Sequence, residues 1–250
     1  MKRLGHLLFY IVAGLLLATA LVELGIYIGN VRTRHKAEAL LSAIRQLRVG
    51  ESTLSTTENI RMEFRAMKLD VSPVSGSPTE QRFQILVSDP LNNSKYEFPS
   101  LWRFGLRPSA TVVELRYQEE KLISVVYMLD TPVFTSSGEP VELVAGTAVG
   151  ENREAVPNPN LSAVYTIRPS SLIGKALQVR LGGVLTSRAT QEERDAAFDF
   201  DLSCISSVRG CEAFCQIMPA VWRLAVRTYP NNETPLLVQE LLNNPRCPPK

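Results

Sequence analysis

The chain has 250 residues, of which 45% are apolar and 21% charged, the composition of a folded protein and not of a disordered one. Lys and Arg outnumber Asp and Glu by only 27 to 25, so charge predicts no nucleic-acid partner. With 14 glycines and 16 prolines, collagen-like and low-complexity architectures are excluded.

The strongest pattern is an apolar segment near the N-terminus. Residues 7–28 read LLFYIVAGLLLATALVELGIYI, with Glu23 as their single charge. A helix of this length extends over about 33 Å, enough to cross a hydrocarbon core of about 30 Å. Residues 1–30 are therefore predicted to be a tail and transmembrane anchor, and the lipid bilayer is the first predicted partner.

A cleaved signal peptide is the alternative interpretation of the same segment. Ala18-Thr19-Ala20 has the small-x-small form of a cleavage site, and cleavage there gives a secreted protein. Apolar sequence continues beyond this site, so a mature chain starting at Leu21 would begin with an exposed apolar strip. We therefore favour a retained anchor.

Small residues follow one side of the predicted membrane helix. At 100° per residue, four of them fall within an arc of about 60°: Gly14, Ala18, Gly25 and Gly29. Such a stripe lets a second helix backbone approach closely in lipid, although glycine is also common in membrane helices generally. The pattern predicts self-association through this helix.

Charge and cysteine content give opposite indications of topology. Five basic residues follow the anchor within about 20 positions, which alone would keep the large domain in the cytoplasm: Arg32, Arg34, Lys36, Arg45 and Arg48. The chain has four cysteines, all near its C-terminal end: Cys204, Cys211, Cys215 and Cys247. An even, clustered number without C-x2-C zinc spacing predicts two disulfides, with three connectivities open, or else four reduced thiols in the cytoplasm. We favour disulfides and an extracytoplasmic domain.

Two amphipathic helices are predicted after the anchor, forming a juxtamembrane hairpin over residues 31–70. In residues 33–48 the apolar positions have the spacing of a one-faced helix: Ala37, Leu40, Leu41, Ile44 and Leu47. Gly50 is placed to end this helix. The next one can begin at Ser52 or Thr53, and Ser55 with Glu58 also has the spacing of a capping box. The second helix carries apolar side chains along one side: Ile60, Phe64 and Met67.

The phrase LRVGESTLSTTENIRMEF, within residues 36–66, resembles the helix–turn–helix unit of bacterial envelope proteins of the SmpA/OmlA type. Those proteins have a Gly and a Ser/Thr between two short amphipathic helices that precede a small sheet. The resemblance implies this local fold and carries no function with it. The chain departs from the family pattern because no cysteine precedes Cys204, which excludes a lipidated N-terminal cysteine.

A Pro/Gly/Ser-rich break at 72–80 separates the helices from a region of period-two hydrophobicity. Six segments there are predicted strands: 81–88, 110–117, 121–129, 141–149, 163–168 and 177–186. The polar turn at 118–120 makes the second and third of them a hairpin. The Gly182-Gly183 pair predicts a β-bulge.

The C-terminal part is predicted to mix helices and strands. Thr190 and Glu193 form a capping box for a helix over 190–198, and Thr234-Pro235 begins another that reaches residue 242. The stretches 198–204 and 221–228 are predicted strands. The predicted fold class is α+β, with a mainly antiparallel sheet in one domain over residues 71–250.

Catalytic chemistry has little support in the sequence. Its only histidines are His6 and His35, which excludes Ser-His pairs, Cys-His pairs and His-ligated zinc from residues 36–250. Two weaker hypotheses for an anchored enzyme remain, a Ser/Lys site and a carboxylate pair: Ser170, Ser171 and Lys175, and Asp199 with Asp201. No cofactor and no metal site is predicted. The function favoured by the sequence is a membrane-anchored binding or structural module of the cell envelope, with an envelope protein as a further partner.

Overall fold

The structure, a computed structural model, describes residues 2–69, 80–89, 102, 107–150, 160–170, 173, 176–207, 209–229 and 234–247, with side chains from residue 9 onward. The predicted break at 72–80 lies outside these residues except for Glu80, which begins a strand. Ser171 and Lys175, two members of the Ser/Lys hypothesis, also lie outside the described residues.

One helix, α1, runs without a break over Lys2–Arg45. Among the residues that the structure describes, it is the one helix long and apolar enough to cross a membrane, and no residue of its apolar part is buried. The second part of α1 and the turn after it carry a buried stripe that includes the predicted apolar face: Asn30, Thr33, Ala37, Leu40, Leu41, Ile44 and Leu47. A single helix therefore joins the apolar segment to the core of the domain.

The helical hairpin is confirmed in outline. Gly50 has a left-handed φ of 85° in the turn after α1, and a short helix, α2, follows over Glu58–Glu63. The predicted capping box is wrong, because Thr57 precedes α2 without a side-chain cap and its hydroxyl is hydrogen-bonded to Tyr117 Oη.

The second helix also ends earlier than predicted. Arg65 has a φ of 52°, a left-handed backbone conformation that no helix continues through. Met67 consequently begins an edge strand and is half exposed, whereas Ile60 and Phe64 pack against the core as predicted.

A seven-stranded sheet forms the body of the domain. All six predicted strands are present, and a short strand, β1, precedes them. The strands are β1 Met67–Leu69, β2 Glu80–Ser88, β3 Ala110–Gln118, β4 Lys121–Phe134, β5 Pro140–Gly150, β6 Leu161–Pro169 and β7 Leu177–Thr186. Their order is β1-β2-β3-β4-β5-β7-β6, and every neighbouring pair is antiparallel except β5 with β7. The sheet is therefore mixed, with one parallel pair in a mainly antiparallel arrangement.

The two faces of the sheet differ. Alternate residues of the strands point into one hydrophobic core, which also contains the buried stripe of α1 and the helices after β7. We call this the inner face. The opposite set of alternating residues forms the outer face, whose side chains do not belong to that core.

The helices after β7 correct two of the predictions. They are α3 Gln191–Ala197, a 3-10 helix Leu202–Ser206, α4 Phe214–Ile217, α5 Pro219–Thr228 and α6 Leu236–Leu242. The predicted strand at 198–204 is wrong, because Asp201 caps the 3-10 helix by accepting a hydrogen bond from Ser203 N at 2.9 Å. The predicted strand at 221–228 is also wrong, because Pro219 begins a helix there.

The capping box of α3 is confirmed. Glu193 N donates to Thr190 Oγ1 at 3.2 Å, and Thr190 N donates to the Glu193 carboxylate at 2.7 Å. The second of these hydrogen bonds lowers the pKa of Glu193 below its usual value. The last predicted helix is present as α6, although Pro235 lies at its N-cap and not inside its first turn.

Candidate functional site

A groove on the outer face of the sheet is the candidate binding site. It has a volume of about 220 Å³ and crosses β4, β5, β7 and β6. Its apolar wall is made by outward-pointing side chains of these four strands: Val126, Met128, Val144, Ala148, Val164 and Val184. An apolar concave surface with few polar groups is typical of a ligand pocket.

Two glycines form the floor of the groove where β5 and β7 run parallel. Gly146 and Gly182 are register partners, and a Cβ on Gly182 would lie 1.9 Å from the Gly146 carbonyl oxygen. A Cβ on Gly146 would lie 2.9 Å from Met128 Cγ. The predicted bulge at Gly182-Gly183 is wrong, because the pairing of β7 is regular on both sides. The register shift lies in the pairing of β3 with β4. Instead, the glycines allow the backbones of β5 and β7 to approach closely, because a side chain would not fit between them.

A buried carboxylate lies beyond one end of the groove. Glu142 is fully buried, and its two oxygens accept hydrogen bonds from Ser170 Oγ and Gln178 Nε2. Ser170 Oγ also accepts a hydrogen bond from Ile173 N at 2.9 Å. Ser170 is the one member of the Ser/Lys hypothesis among the described residues. The structure places it as a hydrogen-bond donor to a buried carboxylate.

Two arginines meet beside this carboxylate. Arg180 Nε donates to Gln178 Oε1 at 3.2 Å, and Arg168 Nε donates to the same oxygen. Burial lowers the pKa of Arg180, and the charge of Arg168 lowers it further. Gln178 thus holds two guanidinium groups at one end of an apolar groove while its amide nitrogen faces Glu142.

The arginine end of the groove lies at the end of the sheet where α1 leaves the domain. A Cβ on Gly29 would lie 2.9 Å from Asp89 Oδ2, at the residue that follows β2. A row of register partners runs from that point across five strands to the groove: Ser88, Ala110, Asp130, Val144 and Arg180. Arg180 is therefore at the same end of the strands as the junction with the apolar helix.

The predicted carboxylate pair is not brought together as a site. Asp199 is half-buried after α3, whereas Asp201 is exposed and serves as the cap described above. The strand that would have put both on one face is absent. Within the described part of the chain, no group of three or more His, Cys, Asp or Glu side chains is placed to hold a metal ion.

The predicted small-residue stripe divides into two environments. A Cβ on Gly14 or Gly25 would meet nothing within 4 Å, so that side of the helix is open, and Ala18 is exposed as well. Gly29 instead faces Asp89 of its own domain. The structure thus leaves Gly14, Ala18 and Gly25 open to another helix and assigns Gly29 to the junction with the sheet.

We expect isoleucine substitutions to separate these two environments. Gly29→Ile should destabilise the domain by about 1–3 kcal/mol, because the new side chain displaces Asp89. Gly25→Ile should leave domain stability unchanged and weaken self-association, since β-branched bulk separates the helices. Thermal unfolding and a membrane-helix association assay measure the two effects, with Leu24→Ile as the control off the stripe. Equal association of the Gly25→Ile and Leu24→Ile proteins would remove the case for this interface.

All four cysteines are paired in disulfides. Cys204 is bonded to Cys211, and Cys215 to Cys247, so one of the three open connectivities is selected. The first bond joins the 3-10 helix to the segment before α4 and closes a short loop. The second ties the segment after α6 to α4, which packs against β5.

Comparison of this chain with known protein families, with curated protein sequences and with solved structures finds no match. The residues at the arginine end of the groove are not among those predicted from the sequence. The signal available there is a single charged side chain inside an apolar strand, as with Arg180 between Val179 and Leu181.

Proposed function

We propose that this protein is a single-pass membrane protein whose extracytoplasmic domain is a binding module of the cell envelope. The observation that carries the proposal is the continuity of α1. Its exposed apolar part and its buried stripe belong to one unbroken helix, which fixes the domain to the membrane segment without a flexible linker.

A retained anchor accounts for α1 better than a cleaved signal peptide does. The helix runs through Ala18-Thr19-Ala20 without interruption. Cleavage after Ala20 would leave residues 21–29 as two apolar helical turns with hardly any protein contact, since burial begins at Asn30. A lipid environment removes that exposure, because apolar side chains are stable in hydrocarbon.

The disulfides support an extracytoplasmic domain over the cytoplasmic placement that the basic residues after the anchor indicate. Both bonds use the pairing chemistry of an oxidising compartment, where disulfides form and persist. Large domains are translocated largely regardless of flanking charge. The resemblance of residues 36–66 to SmpA/OmlA-type proteins remains a prediction that is compatible with the envelope.

The outer-face groove is the part of the domain that we assign to binding. Its wall is apolar, Arg180 lies at one end of it, and Arg168 adjoins Arg180 on the same Gln178 oxygen. A charged end beside an apolar wall fixes the orientation of a ligand. A binding module held at a constant distance from the bilayer would present this groove to membrane-associated ligands or to an envelope protein.

Membrane extraction and thiol counting test the proposal. The full-length protein should stay in the membrane pellet after an alkaline wash, and a variant lacking residues 2–28 should be soluble, because burial begins only at Asn30. Cells lysed in denaturant with a thiol-blocking reagent should yield no free thiol before reduction and four after it. The matched control is the variant lacking residues 2–28 retained in the cytoplasm, where the cysteines should stay reduced. Four free thiols in the full-length protein would place the domain in the cytoplasm and contradict the proposal.

A further inference from the structure

We propose that the outer-face groove binds one aliphatic chain of an anionic amphiphile taken from the membrane, with its carboxylate or phosphate held by Arg168 and Arg180. The inference names the ligand class of the site assigned above, and so rests on the proposed binding function. Three properties of the site support it: its size, its charge and its position.

The size of the groove matches a single chain. Its volume of about 220 Å³ lies below the roughly 300–1,000 Å³ of pockets that enclose a whole drug-sized ligand. The wall consists of aliphatic side chains and Met128, whose flexible thioether adapts to irregular apolar ligands. Val164, at the edge strand, is 38% exposed and leaves one side open.

The two guanidinium groups at the end of the groove are suited to binding an anion. Arg168 and Arg180 converge on one amide oxygen through their Nε atoms. Within the described ranges, neither guanidinium has a carboxylate at ion-pair distance, so their terminal nitrogens are available to a ligand. Arginine is suited to this task because its planar fork binds carboxylate and phosphate in a bidentate manner.

Three carboxylates act on Arg180 over longer range, and within the described ranges none of them lies at ion-pair distance from it. Glu142 accepts hydrogen bonds from Ser170 and Gln178 on its two oxygens. Glu114 lies 4.0 Å from Arg116 on its own strand. Asp130 makes an interaction of its own. Each of them lowers the net charge near the site without occupying the guanidinium groups.

The position of the arginines fits a ligand that comes from the bilayer. The register row places Arg180 at the end of the sheet where α1 leaves toward its apolar segment. A chain that enters the groove from this end passes along Gly182 toward Val184, while its charged group stays near the membrane surface. The groove and the arginine pair thus match the two ends of one amphiphile.

The test uses the full-length protein in phosphatidylcholine nanodiscs with ¹³C-methyl-labelled methionine. Met128 lines the groove, so its methyl signal reports binding there. Met62 on α2 is exposed and lies outside the groove, so its methyl signal is an internal control. Decanoate is titrated, with octanoate, decyltrimethylammonium, acetate and inorganic phosphate as comparison probes, and a Met128→Leu protein assigns the signal. We expect a saturable shift of Met128 alone, with Kd about tenfold weaker for octanoate, which has two fewer methylenes.

Matched variants test the binding of the ligand's charged group and of its aliphatic chain separately. Arg168→Gln and Arg180→Gln should each weaken decanoate about tenfold, and Arg227→Gln on α5 should not, since hydrogen bonds to a charged group carry this much free energy. Val164→Asp should weaken decanoate by a similar factor. Ile167→Asp is the control for it, because Ile167 is equally exposed on β6 and belongs to the opposite set of alternating residues.

Each outcome decides the inference. A saturable Met128 shift that depends on the arginines and on chain length supports it. Equal affinity for decyltrimethylammonium and decanoate overturns the anionic selectivity, and saturation by acetate or phosphate as tight as by decanoate indicates a free-anion site and overturns the lipid source. An unresponsive Met128 in a protein with oxidised thiols overturns the ligand class alone, and a response in a protein with four free thiols overturns the topology alone.

Discussion

Replacing Gly182 with alanine is expected to lower the free energy of unfolding by about 3 kcal/mol or more, a large part of the total of about 5–15 kcal/mol for a domain. The added Cβ would lie 1.9 Å from the carbonyl oxygen of Gly146. This oxygen belongs to the backbone of the paired parallel strand, so no side-chain rotation relieves the clash. The strands must separate, and the sheet must weaken where β5 joins the β7–β6 pair.

Two other glycines provide a graded control for this prediction. A Cβ on Gly183 would lie 3.2–3.3 Å from the methyl groups of Leu161 and Val221, which can shift, so Gly183→Ala should cost less. Gly25→Ala meets no atom within 4 Å and should have no effect on the domain. Chemical denaturation of the three variants in one detergent gives the ranking. A Gly182→Ala protein as stable as the Gly25→Ala protein would mean that β5 and β7 do not approach as described.

Local patterns were sufficient to predict most of the strands. In β3 and β7 apolar residues alternate or run continuously, bounded by turn residues, and the predicted bounds agree with the structure within a residue or two. The strand predicted at 221–228 is wrong because a short apolar run fits the period of a strand and that of a helix equally well. Arg223 and Arg227, four residues apart on the exposed side of α5, were the helical signal in that stretch.

The parallel pair and the groove could not be predicted in the same way. Pairing of β5 with β7 leaves the intervening strand, β6, at the edge of the sheet, and no local pattern specifies which distant strands become neighbours. Glu142, Arg168 and Arg180 come from three strands, each as one charged residue in an apolar segment. Only the register of the folded sheet puts them together. The small-residue stripe on α1, in contrast, follows from helix geometry alone.

The disulfide between Cys215 and Cys247 closes the longer of the two loops, with a sequence separation of 32 against 7 for the other bond. In the chain-entropy description, such cross-links constrain the unfolded state by about 3.7 and about 2.4 kcal/mol respectively. The longer loop also contains α5 and α6, whose buried residues contribute to the core. The two bonds should therefore differ in both the size and the location of their effect.

Removing the Cys215–Cys247 bond by a double alanine substitution should lower the free energy of unfolding by about 3.7 kcal/mol, and removing Cys204–Cys211 should lower it by about 2.4 kcal/mol. Alanine is the appropriate replacement because it leaves no buried hydroxyl without a partner. Trp222 provides a local signal, since its Nε1 donates to the Leu242 carbonyl at 2.9 Å at the end of α6. Its fluorescence should change at a lower denaturant concentration in the first variant than in the second. Equal destabilisation by the two variants, or none on reduction of the native protein, would show that the long loop does not hold α6 against the core.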